Sequence, residues 1–218
     1  MTTPRSITLF HSPQTRSSAA LTLLEELGAP YTLRVVNMKA GEQHQSGYLA
    51  INPLGKVPAI LDGDTVVTEQ VAIYIHLADR FPQAGLAPAL DDPRRGAYLR
   101  WLVYYAASYE PALVDRYMQR EPVPGMQLPY KDFDSMLGVI ETQLARSPYL
   151  LGDTLSAADI LWGAALGWGM AFGLVPKRPV FTDYAGRLGA RPAARRVAER
   201  DAALAAAHEA ALQGQPVS

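Results

Sequence analysis

The chain opens with an apolar run, Ile7 to Phe10, closed by the polar stretch HSPQT, and a helical pattern follows from Ser17 to Leu27 and stops at Gly28. Glycine just past the last apolar position terminates helices well, because it adopts the left-handed conformation without steric cost. Tyr31 to Val36 is rich in β-formers, so residues 7 to 36 predict a βαβ unit with a right-handed crossover. A weak helix at Glu42 to Ala50 comes next. Val57 to Leu61 and Thr65 to Val67 then flank Asp62-Gly63-Asp64, the pattern of a hairpin with an Asp-Gly turn. Helical spacing returns at Glu69 to Asp79.

The rest of the chain differs in kind. Phe81 to Asp92 is punctuated by Pro82, Gly85 and Pro88 and reads as a linker. From Pro93 to Arg120 apolar and aromatic residues recur at helical spacing, with Trp101, Tyr105 and Tyr109 on one face, until EPVPG at 121 to 125 breaks the pattern. Phe133 to Ala145, Ser156 to Phe172, Thr182 to Leu188 and the alanine-rich stretch from Pro192 to Leu212 predict further helices, the last with a polar tail. The expected organisation is an α/β domain at 1–82, a linker at 83–92 and an all-helical domain at 93–218. Ser156 and Asp159 predict a capping box ahead of an apolar helix, a structural role.

Composition narrows the function. A content of 49% hydrophobic and 19% charged residues over 218 positions is that of an ordinary globular protein. A net charge of -1 supplies no positive field for a phosphate backbone, which argues against nucleic acid. Arg191, Arg195 and Arg196 are diluted by Glu199 and Asp201 and read as a solvated helix face. No apolar run is long enough to span a membrane, and MTTPRSITLF lacks a secretory h-region, so a soluble, cytoplasmic protein is expected. Cysteine is absent, which rules out disulfides, thiolate metal sites and a cysteine nucleophile. Any sulfur chemistry must use a sulfur the protein binds.

The stretch NPLGKVPAI, residues 52 to 60, places Pro58 at the mouth of a predicted buried strand. Proline there fits a trans edge position, or a cis Val57-Pro58 bond that turns the Val57 backbone outward as a docking edge. TEQVAIYIHLA follows after seven intervening residues, starting at Thr68, and LLGDTLSAADILWGAAL lies in the helical half. Together these motifs resemble the cytosolic glutathione transferases over nearly the whole chain.

The resemblance implies a thioredoxin-like βαβ-α-ββα domain followed by a C-terminal helical bundle. It assigns the backbone of Val57, ahead of a cis Pro58, to the cysteinyl unit of glutathione. Glu69 and Gln70 then fall at the γ-glutamyl end, Gln70 in place of the usual serine, and Lys56 and Gln43 fall at the glycyl carboxylate. His44 is a weaker candidate beside them.

Glutathione reacts as a thiolate, and a thiol with a pKa near about 8.5 is only a few per cent ionised at neutral pH. The loop HSPQTRSS is the place for an activating donor. Thr15 ranks first, then Ser12 and Ser17, with Arg16 as an electrostatic partner of the thiolate. Thr15 or Ser17 could equally cap the helix. Arg16 falls where the beta-like class carries cysteine and Gln14 near the serine of the theta- and zeta-like classes, so the chain matches none of those patterns.

For the electrophile, Tyr104, Tyr105, Ser108 and Trp168 are the expected contacts, with Ala107 and Tyr117 beside them. The implied activity is conjugation of glutathione, as co-substrate and without a metal, to small hydrophobic electrophiles by a homodimer. Glutathione-dependent isomerisation or peroxide reduction would use the same thiolate. A binding or regulatory module without turnover is the alternative of another class.

Overall fold

A computed structural model of the protein describes residues 6–121 and 124–213. Pro122 and Val123 of the expected EPVPG break lie outside the described residues, as do the tail beyond Gln213 and the first five positions. The strands are β1 (Ile7–His11), β2 (Tyr31–Val35), β3 (Ala59–Asp62) and β4 (Thr65–Val67). The helices are α1 (Arg16–Leu27), α2 (Ser46–Leu49), α3 (Gln70–Arg80), α4 (Arg95–Tyr104), α5 (Glu110–Tyr117), α6 (Phe133–Leu144), α7 (Ala157–Ala171), α8 (Pro179–Gly189) and α9 (Pro192–Gln213). None of the described helices is long and apolar enough to cross a membrane.

The chain forms two compact units, and the helix after Pro192 belongs to the first of them, with the residues up to Ala84. Its pattern had placed it with the helical domain at 93–218. The reason is a row of small or apolar residues, Ala193 and Val197, that are buried together with Asp201, while Arg196 and Arg200 both reach Glu25 of α1. Glu25 also accepts from the Tyr31 hydroxyl at the start of β2, so α9 is tied to both.

In this unit the sheet order is β2-β1-β3-β4. β1 and β2 run parallel, joined by α1 as the βαβ pattern requires, and β3 and β4 are antiparallel across the Asp62-Gly63-Asp64 turn. Gly28 ends α1 in the left-handed conformation, its N–H reaching the carbonyls of Leu24 and Glu25. Burial alternates along β1, so Ile7, Leu9 and His11 share the inward phase. The expected weak helix at 42–50 resolves into a 3₁₀ turn at Glu42–His44 and the single turn α2, with a further 3₁₀ turn at Met38–Ala40 ahead of them.

The helical unit is built on Trp162 of α7, fully buried, with Trp101, Tyr104, Tyr105 and Tyr109 all within ring contact of it. Its indole N–H donates to the Trp101 carbonyl at 2.9 Å. The predicted continuous helix from 93 to 120 is instead α4 and α5 joined by a π-helical turn at Tyr105–Tyr109, a local rearrangement that helical spacing does not encode. The Ser156–Asp159 capping box is present. Gly163 lets α8 approach α7: a Cβ there would sit 2.3 Å from Leu188 Cδ1.

Candidate functional site

The first unit gathers its candidate residues at one end of the sheet. The β1–β3 ladder ends with Phe10 paired to Ala59, so His11 and Ser12 leave β1 at the end of the sheet where Val57 and Pro58 lead into β3. The Val57-Pro58 bond is cis. Val57 is buried with Val36 and Tyr48, against Phe10 and Met38, which fixes the segment from below. The Lys56 carbonyl accepts from the Tyr48 hydroxyl at 2.6 Å and from Asn52 Nδ2 at 2.8 Å, while the Lys56 side chain is exposed. Burial pushes the Tyr48 phenol up to about 12, so it remains a donor at any working pH. Gln43 is half-buried, and its Oε1 is buried with no partner among the described residues. His44 is exposed next to it.

Glu69 sits immediately before α3 with φ +64° and ψ 116°. A non-glycine residue there costs on the order of 1–3 kcal/mol, and such strain collects at functional sites. Its side chain is exposed and makes no capping bond. Gln70 follows as the first residue of α3, and its Nε2 donates to the Arg16 carbonyl at 3.2 Å. That bond ties the N-terminus of α3 to the N-terminus of α1. Two helix N-termini, each with backbone N–H groups lacking intrahelical partners, thus sit side by side and favour anionic groups.

The loop between β1 and α1 is a hydrogen-bonded knot. Thr15 caps α1, accepting from the Ser17 N–H at 3.2 Å. Its hydroxyl lies 2.8 Å from the Ser12 carbonyl and 2.7 Å from Ser17 Oγ. With one proton to give, it can serve only one acceptor at a time. Ser17, expected as a candidate activator, is fully buried. Its Oγ meets the Ser12 N–H and carbonyl, both at 3.0 Å, and His11 Nδ1 at 2.9 Å, so it stands behind Thr15 and has no free surface for a thiol. Ser12 is 4% exposed, Thr15 partly exposed and Arg16 exposed.

Behind this knot lies a buried histidine–carboxylate pair that the motifs do not single out. His11 is fully buried, and its Nε2 is 3.0 Å from Asp201 Oδ1, an ion-pair contact outside hydrogen-bond alignment. Asp201 Oδ2 accepts from the Gln14 N–H at 2.9 Å and, at short range, from the Ser18 hydroxyl. Burial raises the Asp201 carboxyl, but His11, Ser18 and Gln14 together outweigh it and hold the group below the ordinary carboxylate range. Gln14 is held at φ +59° by this bond. Both residues carried a signal: a histidine on the inward phase of a strand, and a carboxylate on the apolar row of a helix.

In the helical unit the expected electrophile contacts divide. Tyr105 and Ser108 are buried, and the Tyr105 hydroxyl bonds Glu110. Tyr104 is partly buried, stacked on Trp162, with its hydroxyl on the Met136 carbonyl at 3.0 Å. Trp168 is 41% exposed and packs on exposed Phe172 with ring centres 4.5 Å apart. The structure therefore commits Tyr104 and Tyr105 to the core around Trp162, while Trp168 keeps accessible apolar surface.

Residues 5–79 match the family model described as "Glutathione S-transferase, N-terminal domain", and residues 130–171 match "Glutathione S-transferase, C-terminal domain". The chain is 31% identical over 166 residues to glutathione S-transferase F10 of Arabidopsis thaliana, covering 71% of this chain and 76% of that protein. Among solved structures it is similar to a ternary complex of BphK, a bacterial glutathione transferase, with 28% identity, a TM-score of 0.76 and coverage of 89% and 99%. A sphingomonad glutathione S-transferase complexed with glutathione matches with 28% identity, a TM-score of 0.75 and coverage of 89% and 98%. The chain carries a thioredoxin-like unit, with a cis-proline and two neighbouring helix N-termini, and a helical unit. The chain belongs to the glutathione S-transferase family.

Proposed function

We infer that the protein is a glutathione transferase that binds glutathione on its first unit and conjugates its thiolate to small hydrophobic electrophiles. The observation that carries this is the Gln70–Arg16 bond, which brings the strained Glu69 turn to the head of α1. In this reading Glu69 accepts from the γ-glutamyl ammonium and the α3 N-terminus holds its carboxylate. The Val57 backbone pairs with the cysteinyl unit, and Lys56 and Gln43 meet the glycyl carboxylate. Thr15, the most exposed of the three hydroxyl candidates, donates to the sulfur from the positive end of α1.

The Trp168–Phe172 pair supports the expectation that the helical unit supplies the electrophile surface. A cytoplasmic homodimer engaged in detoxification is part of the same proposal and rests on the family resemblance.

Calorimetry with glutathione, followed by a conjugation assay on an activated aryl halide, tests the reading. Glu69→Ala should weaken glutathione binding by about tenfold or more, the loss expected for a hydrogen bond between charged groups. Equal affinity in the variant, or no binding by the unsubstituted protein, would contradict it.

A further inference from the structure

Conjugation requires the glutathione thiol to lose a proton, and a donor hydroxyl alone says nothing of where that proton goes. Behind Thr15 runs a continuous chain of short contacts: Thr15 Oγ1 to Ser17 Oγ at 2.7 Å, Ser17 Oγ to His11 Nδ1 at 2.9 Å, and His11 Nε2 to Asp201 Oδ1 at 3.0 Å. Only its outer end, Thr15, reaches the surface, while Ser17, His11 and Asp201 are buried.

The polarity of the chain follows from its inner end. The Asp201 carboxylate 3.0 Å from Nε2 favours the ring proton on that nitrogen by charge, although the contact lies outside hydrogen-bond alignment, and in that tautomer Nδ1 presents a lone pair. Ser17 then donates to Nδ1 and accepts from Thr15. In that arrangement both hydroxyls turn inward towards the imidazole, away from the Ser12 carbonyl that Thr15 also meets at 2.8 Å and Ser17 at 3.0 Å.

We propose that His11, held against Asp201, accepts the proton of bound glutathione through Thr15 and Ser17. The inference rests on Thr15 being the residue that touches the sulfur. The S–H proton passes to Thr15 Oγ1, the Thr15 proton to Ser17 Oγ, and the Ser17 proton to His11 Nδ1. The products are a thiolate, two intact hydroxyls, and an imidazolium paired with the Asp201 carboxylate. Thr15 is left with its new proton directed at the sulfur, as a stabilising donor.

Transfer from an ordinary thiol to an ordinary imidazole is uphill by a factor of about a hundred. The Thr15 bond to the thiolate acts against that deficit. Asp201 is the charged group facing His11 among the described residues; Ser17, from α1, is neutral, and Arg200 on α9 acts on the same carboxylate. A buried histidine–carboxylate pair is not needed for stability, since apolar side chains of similar volume pack as well. His11, Ser17 and Asp201 are thus positioning residues that act through Thr15.

The test uses the full chain with glutathione. Imidazole ¹⁵N resonances of the unsubstituted protein should show His11 passing from the neutral Nε2–H form to the imidazolium when glutathione binds. S-methylglutathione, which has no thiol proton, should leave His11 neutral. A neutral His11 beside an ionised bound thiol overturns the proposal.

In parallel, Asp201→Asn keeps the shape and an acceptor for Gln14 and Ser18 but removes the charge. It should raise the bound thiol's titration midpoint by about one pH unit and lower kcat about tenfold, with glutathione KM near normal. In a Thr15→Val background the same change should have no further effect. If Thr15→Val shifts the thiol but Asp201→Asn does not, the relay is wrong and Thr15 stands as activator. If Thr15→Val leaves the thiol unchanged, the Thr15 reading fails and the relay with it.

Discussion

Asp159 in the helical unit and Asp201 in the first unit are both buried carboxylates, and each accepts from a serine hydroxyl and from a backbone N–H beside the start of a helix. Their further partners separate them. Asp159 is closed off by the Leu150 N–H at 2.8 Å and the Tyr184 hydroxyl at 2.8 Å. Burial drives the Tyr184 phenol well above its ordinary range and raises the Asp159 carboxyl too, and among the described residues no contact leads from that cluster to a histidine. Asp201 faces a histidine, the side chain type suited to that exchange, and the contacts continue to a partly exposed hydroxyl. Burial and hydrogen bonding make a carboxylate a structural anchor in either place. Only a connection to a titrating group and a surface gives it chemistry.

The largest effect expected from this contrast is in Asp159→Ala. It strands the Leu150 and Ser156 N–H groups and the Tyr184 hydroxyl in the core, at a cost of about 3 kcal/mol or more. Chemical denaturation should show that loss, while the folded fraction binds glutathione with unchanged affinity. Collapsed affinity with an intact melting temperature would erase the distinction between the two carboxylates.

Gly163→Ala probes the same unit by packing alone. The new methyl runs into Leu188, and the strain should cost about 1–3 kcal/mol. Scanning calorimetry should register it with kcat/KM affected only through the unfolded fraction.

Asp201→Asn should destabilise least, by about 1 kcal/mol at neutral pH, and its pH dependence carries a definite sign. The folded protein holds this carboxyl below its ordinary value. Its contribution to stability is therefore complete above about pH 4 and disappears as the pH falls through the folded-state value. Melting temperatures of the unsubstituted protein and the variant should converge in acid. A gap that widens there would mean that Asp201 is not the stabilised anion described.

Much of the fold is legible because its signals are local. Gly28 closes α1, the Asp-Gly turn sets the β3–β4 hairpin, and Ser156 with Asp159 announces α7, each within four residues. The residues proposed to hold glutathione come from the NPLGKVPAI and TEQVAI motifs, and the cis bond at Val57-Pro58 agrees with what the resemblance implied. The network behind Thr15 was not, because His11 and Asp201 lie 190 positions apart and meet only once α9 packs on α1. The membership of α9 was hidden for the same reason: an alanine-rich helix reads alike wherever it packs. Which aromatic rings face a substrate was not legible, because aromatic spacing does not distinguish a pocket wall from a core built on Trp162.

The most direct measurement is a pH titration of the ultraviolet absorbance of the thiolate of glutathione bound to the unsubstituted protein and to Thr15→Val. The account predicts a bound thiol that ionises well below free glutathione in the former and moves back towards it by at least about one pH unit in the latter, at similar glutathione affinity. A bound thiol that titrates like free glutathione in both would contradict the account at its centre.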